Sequence, residues 1–154
     1  MAIDISKGSH KWGFLSKVAS AQTGSPHIYN ITLAADHDNF DLVLKGAWKA
    51  FDNYNEDTTG TINFTGVVQD KAADGTWYVE VVSTNALLVY NAPVSPYAEK
   101  EFQDESLFVN KQGETAEGFS LIAGDIISVS ENGFSSTPTK GDAVTGFSAG
   151  KYQI

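Results

Sequence analysis

Short apolar runs separated by turn-forming residues recur along the chain from Ile28 onward. In the run TWYVEVVS, Trp77, Val79 and Val81 fall on one face of an extended chain, and the residues between them fall on the other. This period of two predicts a half-buried β-strand. The preceding sequence ADG, which ends at Gly75, is typical of a hairpin turn.

Runs of the same kind predict strands near residues 28–35, 62–69, 76–83 and 125–130, with shorter ones in ALLVY, SLFVN, EGFSL and KYQI. The stretch LKGAWKAFDNY has the length for a short helix, but its glycine and aromatic residues favour a strand that leads into a loop. The sequence therefore predicts an all-β fold, with a small antiparallel β-barrel or sandwich as its body.

Pro93 and Pro96 mark the predicted end of a first β-lobe, because proline lacks a backbone donor and holds the preceding residue extended. The pattern predicts a first lobe over residues 28–95 and a second over residues 96–154. One continuous domain over both ranges is the alternative.

Residues 1–27 show neither a period of 2 nor one of 3.6 and are predicted to form an extended N-terminal arm. Four of its side chains are too apolar to remain in water, so the arm should lie on its own body or on a neighbouring subunit. These predicted partner-binding residues are Trp12, Phe14, Leu15 and Val18.

Charge and composition exclude several classes of function. The formal net charge is −9 and the basic residues are all lysine, which disfavours nucleic-acid binding because the chain lacks the guanidinium fork that reads phosphates and guanine edges. With no cysteine, disulfides, thiolate metal sites and thiol catalysis are excluded. The start of the sequence lacks the basic leader and apolar core of a secretion signal, and no later apolar run is long enough to span a membrane. We therefore expect a protein without a membrane segment that is made in the cytoplasm without a secretion signal.

Two Gly-Asp pairs, Gly124-Asp125 and Gly141-Asp142, each precede β-branched or apolar residues. A phosphate loop would need further glycines, a lysine and a following helix, which the run GDIISVSENG does not supply. Both pairs are interpreted as turns in which the aspartate accepts backbone N–H bonds. Asn132-Gly133 predicts another tight turn, with positive φ.

Two acidic segments are candidates for an ion site, ADHDNFD over Ala35–Asp41, whose acidic residues lie between Asp36 and Asp41, and FDNYNEDTTG over residues 51–60. Neither has the loop length, central glycine and closing glutamate of a calcium loop. Both are interpreted as solvated turns, and no metal or cofactor is predicted, although an ion on Asp36, Asp38 or Asp57 stays open.

The chain offers no recognisable catalytic constellation. Its histidines are His10, His27 and His37, and the sequences around the first two do not match a nucleophile elbow. The adjacent carboxylates Asp104 and Glu105 would point to opposite faces of a strand and could not flank one glycosidic bond. No catalytic residue and no enzymatic activity are predicted.

Aromatic residues suggest a function of another class. On a β-scaffold they could form a stacking platform for sugars, although aromatic residues of small β-proteins usually belong to the core. The candidates are Trp12, Trp48, Trp77, Tyr78 and Tyr90.

From about Lys45 to the C-terminus, the order of elements resembles the head decoration proteins of tailed bacteriophages. The chain carries a Trp-Tyr strand, an apolar strand, a proline-bearing link, the run FQDESLFVNK, a Gly-Glu turn and the run LIAGDII. In sequence numbers, these strands are Trp77–Val82, Ala86–Tyr90, Phe102–Lys111 and Leu121–Ile127.

The resemblance implies a structural protein of the virion that cements the capsid from its outer surface. Its implied partners are the major capsid protein and other copies of itself, and it needs no active site. A rigid β-body, an acidic exterior and an apolar arm suit this role. The alternative is a carbohydrate-binding or tail-associated β-module of a phage particle.

Overall fold

The computed structural model describes residues 2–3, 11–18, 28–50, 53–91 and 108–154. The described chain is nearly all β, which confirms the predicted fold class. Its strands are β1 Ala2–Ile3, β2 Gly13–Lys17, β3 Ile28–Thr32, β4 Leu42–Ala50, β5 Asn53–Asp57, β6 Phe64–Lys71, β7 Trp77–Thr84, β8 Leu87–Val89, β9 Phe108–Val109, β10 Thr115–Ser120, β11 Ile126–Val129, β12 Ala143–Val144, β13 Gly146–Ser148 and β14 Lys151–Gln153.

Five strands close into a barrel in the order β10, β3, β5, β4 and β8. Strands β3 and β5 run parallel, with Ile31 opposite Tyr54, and the other neighbouring barrel strands run antiparallel. A second sheet has the order β12, β6, β7, β11 and β2. Two-stranded ladders join β1 to β9 and β13 to β14.

Successive side chains of the barrel strands point to opposite faces of the sheet. The barrel strands therefore contribute side chains to two separate hydrophobic cores. One set fills the barrel interior, with Tyr29 and Tyr54 packed against it: Ile31, Leu33, Val43, Leu87, Val89 and Ala116. The alternate positions Leu42, Leu88 and Phe119 point outward and pack against the second sheet, including its Val79 and Ile127. The barrel and the sheet therefore share the larger core.

The segment predicted as a strand leading into a loop is a strand followed by a second strand. Leu42–Ala50 forms β4, as predicted, and a Cβ at Gly46 would lie 2.6 Å from the carbonyl oxygen of Asn55. The polar sequence NYNED, interpreted as part of a loop, forms β5 and pairs with both β3 and β4. That interpretation was wrong because two neighbouring strands, rather than an apolar face, hold this segment extended.

The Gly-Asp turns are confirmed. Gly124 and Gly141 have φ values of 94° and 91°. The Asp125 carboxylate accepts a bond from the Ile122 N–H at 2.9 Å, and Asp142 accepts one from the Thr139 N–H at 2.8 Å. Both carboxylates therefore close the turn that precedes a strand.

The Asn132-Gly133 turn exists as a short 3-10 turn over Glu131–Gly133, but Gly133 is not at positive φ. The predicted reason for this glycine was therefore wrong. A Cβ there would stand 2.6 Å from Cδ of Lys11 and 2.7 Å from Cγ1 of Val129, so the site requires glycine for space.

Strands from both predicted lobes share both sheets. From the second range, β10 closes the barrel formed by strands of the first, and β11 lies between β7 and β2. The linking prolines Pro93 and Pro96 fall outside the described residues. Backbone hydrogen bonds thus join the two sequence ranges.

Candidate functional site

The four predicted arm residues lie on or beside β2, at the edge of the second sheet among the described strands. Leu15 packs against the shared core, and Val18 belongs to it with 5% of its surface exposed. Phe14 points outward, 48% exposed, and meets the Trp12 ring edge-on at a centroid distance of 6.2 Å. The structure thus divides the predicted set into an inner anchor and an outer aromatic pair.

Lys11 holds the start of this segment on the body. Its side chain is 2% exposed and forms a buried ion pair with Asp41. Its Nζ also donates to the Gly150 carbonyl oxygen at 2.9 Å and lies 5.3 Å from the centroid of the Phe147 ring. One ammonium group therefore joins the N-terminal strand, the start of β4 and the hairpin formed by β13 and β14.

His37 extends the buried charges to the barrel. Its Nδ1 lies 2.9 Å from Asp41 Oδ2, and its Nε2 lies 2.9 Å from Glu56 Oε1. Burial alone would lower the pKa of His37, but the hydrogen bonds and negative charges of Asp41 and Glu56 outweigh it and raise the pKa to about 9. His37 is therefore an imidazolium at neutral pH.

Asp41 is the centre of this cluster, and its side chain is 9% exposed. Burial would raise the pKa of Asp41, but the charges and hydrogen bonds of Lys11 and His37 together hold it below the usual value. The backbone supports the arrangement, since the Asp38 N–H donates to Asp41 Oδ2 at 3.2 Å. The order of charges is Lys11, Asp41, His37 and Glu56, alternately positive and negative.

A cleft of about 400 Å³ opens beside this cluster. It brings together residues of both acidic segments, Asp36 and Asp41 from one and Glu56 and Asp57 from the other. Within the described ranges no group of three or more histidine and acidic side chains is arranged to hold a metal ion. Asp57 instead accepts bonds from the N–H and the hydroxyl of Thr59, at 2.8 and 2.7 Å.

The chemistry of the cluster is that of a structural network. A general base needs a ring nitrogen with a free lone pair, whereas both nitrogens of His37 are engaged by carboxylates. The sequence marked Asp36–Asp41 as an acidic segment but gave no sign that Lys11 or Glu56 belonged with it. These residues are far apart along the chain, and only the fold joins them.

The five aromatic residues considered as a sugar platform lie in different environments. Trp77 and Tyr90 pack against the shared core, and Tyr90 contacts Phe40 at a ring-centroid distance of 5.4 Å. Trp48 stands on the barrel strand β4 with 62% of its surface exposed. Trp12 and Tyr78 lie on the second sheet or next to it. No surface thus combines all five rings.

Comparisons with protein-family models, with curated proteins and with solved structures gave no match for this chain. In the described part of the chain, no helix has the length and apolar character required to cross a bilayer.

Proposed function

We propose that this chain is a non-enzymatic structural protein of a tailed bacteriophage, which binds the outer surface of the capsid and cements it. Its partners are the major capsid protein and neighbouring copies of itself. In this proposal the protein is made in the host cytoplasm and functions on the virion.

The observation that carries the proposal is that β2 lies at the edge of the second sheet among the strands that the structure describes. This strand follows the anchored residue Lys11 and displays Phe14, 48% exposed, beside Trp12. Edge strands accept further strands through main-chain hydrogen bonds, and exposed aromatic side chains supply apolar area and specificity. A partner strand on β2 would extend the second sheet and cover the Phe14 ring.

The rest of the molecule suits a cement protein. The body is all β and contains a closed five-stranded barrel. The formal net charge of −9 opposes self-association of the protein in solution. When each copy contacts both the shell and its neighbouring copies, the contacts reinforce one another, so each single contact can be weak. The order of elements resembles that of phage head decoration proteins, and this resemblance supports the same function.

The test is co-sedimentation of the purified protein with undecorated shells of the virus whose genome encodes it. Phe14→Ser should reduce occupancy at least about tenfold, because the ring is lost at the centre of the contact. Ile122→Ser is the matched control, since Ile122 is 58% exposed but lies in the turn before β11. It should bind as the wild type does.

Equal binding by the two variants would place the contact elsewhere, and failure of the wild type to bind shells would refute the capsid role. Deletion of residues 1–20 is a poorer test of the contact. It removes Lys11 and Val18, both of which are buried in the body. The deletion would therefore lower stability as well as binding.

A further inference from the structure

A groove of about 390 Å³, lined by both polar and apolar groups, crosses the outer face of the second sheet, away from the shared core. It is lined by Ser16 and Lys17 of β2, Gln69 and Asp70 of β6, Tyr78 and Glu80 of β7, and Ile126 of β11. These four strands are neighbours in the sheet, so the groove lies on a rigid surface. Its volume falls in the range of small-ligand sites.

Strand register explains the arrangement of this groove. Ile126 lies opposite Glu80 on β7 and opposite Lys17 on β2. The Gln69 side-chain N–H donates to Glu80 Oε2 at 3.0 Å. A row of side chains therefore crosses the sheet, with the Gln69 amide and the Glu80 carboxylate at one end and the Lys17 ammonium group at the other. Tyr78 lies two residues before Glu80 on β7.

The groove offers one aromatic ring surrounded by groups of mixed hydrogen-bonding character. Glu80 is an acceptor, Lys17 is a donor, and the Gln69 amide is both. The Gln69–Glu80 bond fixes the two side chains before a ligand arrives, which lowers the entropy lost on binding. The two halves of the groove therefore present a preorganised acceptor and an opposing donor.

We propose that this groove binds a neutral saccharide, with a sugar ring against Tyr78 and its hydroxyls bonded to Glu80, Gln69 and Lys17. Hydroxyls donate and accept, so they match both ends of the row. A polyanion would meet the carboxylates of Asp70 and Glu80. A wholly apolar ligand would cover Glu80 without supplying a donor. This activity is separate from cementing and does not depend on it.

The test begins with a glycan array that carries neutral and acidic oligosaccharides, followed by calorimetric titration of the neutral glycans retained. We expect a dissociation constant near 1 mM or tighter for at least one neutral oligosaccharide. Tyr78→Ala should weaken that binding at least about tenfold, and Tyr78→Phe should retain most of it because the ring remains. Glu80→Gln, which keeps the shape but not the charge, should have an intermediate effect.

Trp48→Ala is the matched control, because Trp48 is an exposed aromatic residue outside the groove. It should bind the glycan as the wild type does, and circular dichroism should show that every variant is folded. Three results would overturn the proposal: no retained neutral glycan, binding lost in Trp48→Ala rather than Tyr78→Ala, or retention of acidic glycans alone. Shell binding is measured separately, so either function can fail without the other.

Discussion

Charged side chains form two kinds of pair in this protein. At one end of the barrel, Lys11, Asp41, His37 and Glu56 are largely buried and alternate in sign. On the surface, Lys140 and Asp70 meet at 3.2 Å with their side chains 73% and 66% exposed. The first group has lost most of its water and depends on its partners, whereas the second retains its water.

This difference shows how the N-terminal strand is held in place. The Lys11 ammonium joins the segment before β2 to Asp41 and to Gly150 at once. If it is lost, Asp41 is left buried with one partner fewer. We therefore expect substitutions at the buried pair to have large effects on stability and substitutions at the exposed pair to have small ones.

The largest effect is expected for Lys11→Met, which keeps the apolar stem but removes the charge. Removal of one partner of a buried ion pair costs about 3–5 kcal/mol, because the other charge is left uncompensated. Urea unfolding at neutral pH should show this loss in the free energy of unfolding. A loss below about 1 kcal/mol would mean that water solvates Asp41 in the folded protein.

The next effect is a dependence of stability on pH. The pKa of His37 is about 9 in the folded protein against 6.5 unfolded, so its contribution is complete below pH 6.5 and is lost as the pH rises through 9. The loss should be about 3 kcal/mol, since each pKa unit corresponds to about 1.4 kcal/mol.

The measurement is urea unfolding of the wild type and of His37→Gln across this interval. The wild type should lose stability between about pH 6 and about pH 9.5, and the variant should lose much less. Parallel curves for the two proteins would show that His37 is not the group responsible.

A neutral buried bond should have a smaller effect and sharpens the comparison. The Tyr152 hydroxyl donates to the Phe40 carbonyl oxygen at 2.7 Å, in the core near Asp41. Tyr152→Phe should lower the free energy of unfolding by about 1 kcal/mol, as is usual for an uncharged hydrogen bond. A loss equal to that of Lys11→Met would mean that burial rather than charge sets the cost.

The smallest effect is expected for Lys140→Ala, which removes the exposed partner of Asp70. Its unfolding free energy should differ from the wild type by less than about 0.5 kcal/mol, and salt should reduce even that difference. The free energy of unfolding of both proteins is measured at low and at high ionic strength. A difference above about 1 kcal/mol between variant and wild type would contradict the contrast between buried and exposed pairs.

The sequence allowed prediction of strands whose alternation is local. Val79 and Val81 repeat at a period of two, and β7 lies within one residue of its predicted ends at 76 and 83. The polar strand β5 has no such alternation. It is extended because it pairs with its parallel neighbour β3 and its antiparallel neighbour β4. Local periodicity does not predict which distant segments pair with each other.

The candidate site was predicted in part for the same reason. The apolar character of residues 12–18 indicated that they do not form a free tail, and Val18 and Leu15 do pack on the body. The ion pair between Lys11 and Asp41 spans 30 positions, and the bond from Lys11 to Gly150 spans 139. Nothing in either local sequence specifies such a partner.

In the proposed function, β2 presents Phe14 to the capsid. The most direct test is an image of the decorated particle at a resolution that places single strands. We predict that β2 lies at the contact, with the Phe14 ring covered by the major capsid protein or a neighbouring copy. A particle in which β2 faces solvent, or a shell that carries no copy of this chain, would contradict the account.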